Sequence, residues 1–252
     1  MPDFQIAVIN YPPEYTDLMN RFHSLHEPSL QGLEVMAKIL EDYNPAHYTV
    51  WKRRWEFLRA LEYDIDAEIE WINAMLLENP KTYQIWNYRQ QLISFKNDPS
   101  NELQLLNEIL ADDPKNYHAW SYRQWLIKKF NMLDGELDFT ASLIEQDPYN
   151  NSAWNHRHFL NSLLIPIDLK DEVAYVQNII SQYPDNESPW NYYRALLPSI
   201  SSSDLEFVKT FTDNRFAVYT LFVWTKDHSY LDILSQVDPN RSSFWKELKN
   251  KS

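Results

Sequence analysis

Two apolar patterns alternate along this chain. Ile65, Ile69, Ile72, Met75 and Leu76 stand at helical spacing, and so do Leu103, Leu106, Ile109 and Leu110. Each set makes one apolar stripe on an amphipathic helix. Between the stripes lies a segment in which tryptophan takes the apolar place: Pro45 to Trp51 to Arg54, Pro80 to Trp86 to Arg89, Pro114 to Trp120 to Arg123, and Pro148 to Trp154 to Arg157. A worn fifth copy runs from Pro184 through Trp190 to Tyr193 and Arg194, and a sixth trace, Asp238-Pro239 to Trp245, keeps only the Pro-to-Trp interval. Successive tryptophans from Trp51 to Trp190 are 35, 34, 34 and 36 residues apart. A period near 34 without a glycine signature means one helix pair per repeat, with the tryptophan helix first and the amphipathic stripe after it second.

The repeat carries its own punctuation. Thr82, Asn116, Asn150 and Asn186, four residues before each Trp, suit an N-cap, where a side-chain oxygen accepts from a free first-turn amide. His47 fills that slot more weakly. Pro two residues earlier ends the preceding helix, and Asn44, Asn79, Asp113 and Asp147 just before Pro are alternative caps, so the start is fixed to within two residues. In the first three copies Tyr, Trp and Arg fall at i, i+3 and i+6, so consecutive members are helix neighbours. The Trp fills space between helices, and the planar Arg fork pairs with an acid of the next repeat. Residues present in every unit serve stacking first.

The expected fold is therefore all-α, a solenoid of helical hairpins, and its likeness to tetratricopeptide arrays implies a right-handed superhelix. The chain is expected to be one helical-repeat domain over 1–252. Residues 1–43 form an N-terminal segment and an incomplete first hairpin whose back helix is Gln31–Asp42; 44–198 hold the repeats on Trp51, Trp86, Trp120, Trp154 and Trp190; 199–252 form an irregular helical cap opened by a Ser199–Ser203 loop. Composition agrees with this. Only 2 of 252 residues are Gly, against 10 Trp and 16 Tyr, which leaves little for phosphate-gripping loops or β-sandwich turns. A net charge of −13 repels nucleic acid. The absence of Cys excludes disulfides and zinc thiolate sites in this chain and fits the cytoplasm. No apolar stretch reaches the length of a membrane helix, so a soluble, non-integral protein is expected.

Candidate chemistry lies where the copies differ inside the shared frame. Lys81 and Lys115 follow the proline in copies two and three, and the residue after the Tyr or Asn slot is Thr49, Gln84, His118 and Ser152 in turn. Helix starts favour anions, and neighbouring helices lie about 8–10 Å apart, so one ligand can touch several starts. By spacing alone, Lys81 is a phosphate or carboxylate partner or an ordinary exposed lysine. Gln84 is a carboxylate donor or a polar residue at a helix start, and His118 is a ligand contact or a structural histidine. His156 and His158, two apart on a helix, point to different faces and are not a metal pair. No Ser-His-Asp set or glycine-rich loop appears, and the chain shows no means of catalysis by itself.

The repeat Pro-x-x-(Tyr/Asn)-x-x-Trp-x-x-Arg resembles that of protein prenyltransferase α subunits over about residues 5–197. Pro80 to Trp86, Lys115 to Trp120, Arg123-Gln-Trp125 and Asn151 to Phe159 are most similar to the α subunit shared by farnesyltransferase and type I geranylgeranyltransferase. The resemblance implies a heterodimer with a β subunit that holds zinc and the isoprenoid pocket, with magnesium a further candidate at the diphosphate. The reaction implied transfers a farnesyl or geranylgeranyl group from its diphosphate to the cysteine of a C-terminal Cys-a-a-X motif. Lys81 then matches the lysine that stabilises the leaving diphosphate, Gln84 the glutamine that binds the peptide carboxylate, and Tyr48 a tyrosine lining the peptide site. Tyr117 and His118 match positions near the diphosphate. The Rab-specific enzyme also has an α subunit with related repeats, but Gln84 and the Phe4–Ile9 segment resemble the shared Cys-a-a-X subunit. A non-catalytic, protein-binding scaffold is the reading from another class. Against that family the chain is expected to differ in its eroded C-terminal repeats and in lacking the proline-rich leader common in animal members.

Overall fold

A computed structural model describes residues 10–163, 168–197 and 199–251; the Phe4–Ile9 segment lies outside them. Every regular element among the described residues is helical. The chain divides into two compact units, residues 1–130 and 131–252.

The first unit holds α1 (Pro13–His23), α2 (Leu30–Asp42), α3 (Tyr48–Ala60), α4 (Ile65–Glu78), α5 (Tyr83–Lys96), α6 (Glu102–Asp112) and α7 (Tyr117–Phe130). The tryptophan helices α3, α5 and α7 stack on one another. Each back helix packs on the tryptophan helix that follows it, as α2/α3, α4/α5 and α6/α7. This shifts the phase expected from sequence, which paired each tryptophan helix with the stripe after it, and it makes α2, which begins at Leu30, half of a complete first pair. Apolar periodicity cannot distinguish the two pairings, because a tryptophan helix is flanked by an amphipathic helix on either side.

The second unit repeats the arrangement with α8 (Glu136–Gln146), α9 (Asn151–Ser162), α10 (Leu169–Gln182), α11 (Glu187–Leu196), α12 (Ser202–Lys209), α13 (Arg215–Thr225), α14 (Ser229–Val237) and α15 (Ser242–Lys251). Contacts again pair α8/α9, α10/α11, α12/α13 and α14/α15. The serine run is not all loop: Ser202 and Ser203 are helical, because Ser201 and Asp204 form a capping box at the start of α12. The α12/α13 pair is a repeat that the tryptophan frame hides. Val218 stands in the Trp slot, four residues after the cap Asn214, and is buried. Val218 also joins a small apolar cluster with Leu231, Leu234 and Trp245 that closes the C-terminal end.

Three sets of polar contacts explain the frame. Each Trp indole N–H donates to the carbonyl of the proline six residues before it, at 2.8 Å for Trp51 and Trp190 and 2.9 Å for Trp86, Trp120 and Trp154. This satisfies both the buried ring and the end of the preceding turn. The caps sit in the later of the two candidate slots, with Asn116 accepting from Ala119 N–H at 3.0 Å and Asn186 from Ser188 N–H at 3.1 Å, whereas the Thr82 side chain accepts from no first-turn amide. The residues before proline make a short turn instead, as where Asp147 accepts from Tyr149 N–H at 2.9 Å. The cap side chains also reach backward: Asn116 donates to Pro80 O, Asn186 to Pro148 O and Asn214 to Pro184 O, at 3.2, 2.6 and 2.9 Å.

The arginines are clamped from the next pair, as expected once the phase is set. Arg54 grips Glu68 at 2.6 and 2.7 Å, Arg89 grips Glu102 at 2.8 and 2.6 Å, and Arg157 grips Glu172 at 2.6 and 2.7 Å, all as bidentate forks. The same carboxylates accept from Tyr88, Tyr122 and Tyr192 at 2.7, 2.6 and 2.5 Å. Each acid lies in the first turn of a back helix, where the dipole favours negative charge.

Candidate functional site

The expected site residues all belong to the first unit, at the starts of its stacked tryptophan helices. Tyr48, Tyr83 and Tyr117 open α3, α5 and α7, and these residues are 67%, 64% and 76% exposed. The tryptophan three residues on is buried in each case, so the helix turns its tyrosine outward while the Trp anchors it.

Tyr48 and Gln84 line one cavity, of about 370 Å³, between α3 and α5. Its walls are aromatic (Trp51, Trp55, Tyr83 and Tyr88), and Asn87 and Gln91 continue the amide row begun by Gln84 along α5. At spacings of three and four residues, these three amides share one helix face. Lys52 and Glu56 supply one charge of each sign from α3. Tyr88 is a neutral donor here, since burial, with the Glu68 charge second, pushes its phenol well above the ordinary value.

Tyr117 and His118 line a second cavity, of about 130 Å³, between α5 and α7, together with Tyr83 and Asn87. Tyr83 and Asn87 therefore border both cavities. The His118 ring stands 5.5 Å from that of Tyr117 and 6.3 Å from that of Tyr83. Lys81 lies on neither wall. Its side chain, 78% exposed, stands just before the α5 cap Thr82 and pairs with Asp113 at 3.3 Å. Thus Tyr48 and Gln84 share one cavity, Tyr117 and His118 share the next, and Lys81 projects beside them as a cation held by a single carboxylate.

Sequence reasoning passed over Tyr83, Asn87 and Gln91. Tyr83 looked like frame, yet the same slot holds Asn151 and Glu187 in later copies. A position that accepts polar residues in a packed repeat is an exposed one, and that signal was legible. His156 is buried against Glu136 at 2.8 Å while His158 is exposed, so the two histidines do face different ways.

These features define a class, a repeat protein of helical hairpins whose helix starts carry an aromatic, amide-lined groove flanked by a cation. The protein prenyltransferase alpha subunit repeat matches residues 65–95, 99–130, 133–164 and 169–200, in the phase that the helix packing shows. A solved structure of Candida albicans protein geranylgeranyltransferase-I complexed with GGPP is similar at a TM-score of 0.87 and 32% identity, covering 98% of this chain and 93% of that one. Two curated relatives are the protein farnesyltransferase/geranylgeranyltransferase type-1 subunits alpha of Schizosaccharomyces pombe (35% identical over 92 residues, 35% of this chain) and Candida albicans (34% over 93 residues, 35% of this chain). The matched stretch spans only about a third of those relatives' length, 31% and 30%. The chain belongs to the protein prenyltransferase alpha-subunit family, and its all-helical hairpin fold is the one the sequence predicts.

Proposed function

We propose that this chain is the α subunit of a heterodimeric Cys-a-a-X protein prenyltransferase of the farnesyltransferase and type I geranylgeranyltransferase kind. It works with a β subunit to move a farnesyl or geranylgeranyl group from its diphosphate to the cysteine of a C-terminal Cys-a-a-X motif. The observation that carries this reading is the placement of Gln84 and Tyr48 on one aromatic cavity next to an exposed Lys81. The names of the curated relatives and of the solved neighbour favour it over the Rab-type subunit and over a plain scaffold.

In this reading the cysteine, as thiolate, attacks the isoprenoid carbon that bears the diphosphate, and the bond to the diphosphate breaks as the carbon–sulfur bond forms. Negative charge accumulates on the departing diphosphate. Lys81 exchanges Asp113 for that oxyanion and stabilises the charge where it develops. Gln84 donates to the peptide's terminal carboxylate, the Tyr48 ring lines the peptide path, and Tyr117 with His118 borders the diphosphate end. Zinc, with the sulfur chemistry it supports, would belong to the β subunit, as the family resemblance implies. Magnesium, where used, would sit with the diphosphate. The enzyme of this reading works in the cytoplasm; among the described residues no helix is long and apolar enough to cross a membrane.

The test is to purify the tagged chain from its own cells and assay the eluate for prenyl transfer to a Cys-a-a-X peptide. Transfer with one co-purifying partner supports the proposal, and the lipid used names the enzyme. An inactive eluate carrying an unrelated partner would replace it with the scaffold reading.

A further inference from the structure

The second unit contains an arginine that has left the clamp. In the fifth copy Tyr193 occupies the slot of Arg54, Arg89 and Arg157, and its hydroxyl donates to Asp204 at 2.7 Å. Arg194 follows one residue later, about 100° further round α11. Its guanidinium turns to α13, donating to the Thr220 hydroxyl at 2.8 Å and to the Asn191 side-chain oxygen, and lies 5.0 Å over the Tyr219 ring. All three are neutral. Among the described residues no carboxylate stands within ion-pair distance of it, although Glu187 lines the same space. Desolvation pulls its pKa below the ordinary value, against smaller opposing effects of Tyr219 and Glu187.

That space is a cavity of about 300 Å³ between α11, α13 and α15. Arg215 and Arg241 also reach it, and both lean on one buried acid, Asp238, at 3.8 and 4.0 Å. Asp238 further accepts the Trp245 indole N–H at 3.2 Å. Three arginines thus face two acids, an excess of one positive charge inside a chain whose net charge is −13. The remaining wall is apolar, from Phe222, Phe244, Trp245 and Leu248. We propose that this cavity binds a carboxylate carried on a compact apolar body, with Arg194 as its counter-ion. One planar fork matches one carboxylate, the single excess charge suits a monoanion rather than a phosphate dianion, and the aromatic wall takes the body. Either a small organic acid or the terminal residue of a polypeptide ending in an apolar side chain has this chemistry.

The experiment titrates the full chain with 3-phenylpropanoate and with the neutral 3-phenylpropan-1-ol. In parallel it uses N-acetyl-Ala-Phe with a free or an amidated C-terminus. Binding is read by calorimetry. Saturable binding of an acid about tenfold or more tighter than its neutral counterpart, weakened about tenfold by Arg194→Gln, is the expected result. The arm that binds tells whether a small acid or a chain terminus is the natural ligand. Phe244 is 55% exposed, so Phe244→Ala keeps the fold and should weaken binding even where Arg194→Gln fails to fold. Equal binding of acid and neutral compound, no saturation by about 10 mM, or an Arg194→Gln or Phe244→Ala variant that binds as the parent does, would overturn the proposal. The outcome is independent of prenyl transfer.

Discussion

Replacing Glu102 by Leu removes a single carboxylate that three elements share. Its oxygens take both arms of Arg89 at 2.8 and 2.6 Å and the hydroxyl of Tyr122 at 2.6 Å. Glu102 and Arg89 are each 2% exposed and Tyr122 is 4% exposed, so water cannot replace the lost oxygens. Stranding a buried charge costs about 3–5 kcal/mol, and an orphaned buried hydroxyl about 1–3 kcal/mol. The two effects share one group and do not add in full, and Arg89 keeps Asn73 as a partner at 2.5 Å. A loss of about 4 kcal/mol is expected, a large part of the roughly 5–15 kcal/mol that holds a domain folded. Urea unfolding followed by far-UV circular dichroism should show the midpoint falling with little change in slope. The triple variant Arg89→Met/Glu102→Leu/Tyr122→Phe strands no buried charge and should recover all but about 1–2 kcal/mol. A cost below about 1 kcal/mol for Glu102→Leu, or a triple variant less stable than the single one, would refute the account of the clamp.

Three further outcomes are expected. Lys81→Ala should lower turnover of the assembled enzyme by about 2–4 kcal/mol in transition-state terms, while the exposed pair with Asp113 limits the stability loss to roughly 1 kcal/mol or less; unchanged turnover would remove the diphosphate role. Gln84→Ala should weaken Cys-a-a-X peptide binding and leave isoprenoid affinity as it was, and an unmoved peptide Kd would reassign the glutamine. Burial first, and a neighbouring glutamate second, raise the Tyr88 and Tyr122 phenols well above their ordinary value. The unfolded chain therefore gives up these protons first. The stability they contribute is complete below about pH 10 and falls as pH rises beyond it. Urea midpoints between pH 9 and 11 should drop less steeply in Tyr122→Phe than in the parent, and parallel slopes would contradict this.

The repeat was legible because its signals are local. Proline, cap, Trp and Arg sit within ten residues of each other and state where a helix starts and which face is buried. Helix pairing was not legible, since it depends on which of two similar apolar faces meets a given neighbour. The α12/α13 pair was hidden because it lacks the Pro, Trp and Arg of the frame and keeps only Asn214 and a buried aliphatic residue, Val218. Within the candidate site, Gln84, Tyr48, Tyr117 and His118 stood out as variable positions or through resemblance. Asn87 and Gln91 look like ordinary polar surface until α3 is laid beside α5. Arg194 looked like a slipped copy of a structural arginine, and only the Tyr193–Asp204 hydrogen bond shows that its place in the clamp has been filled.

The backward reach of the cap asparagines has an evolutionary consequence. Asn116, Asn186 and Asn214 each close a bond onto a carbonyl 36, 38 and 30 residues earlier. Insertions or deletions of one full period rejoin equivalent atoms, whereas a change of one or two residues between cap and proline misplaces the bond and the helix start with it. Drift in size should concentrate in the connections between helices, outside the stretch from proline to cap, so lineages can shed or gain hairpins at the ends while the starts of α3, α5 and α7 keep their mutual spacing.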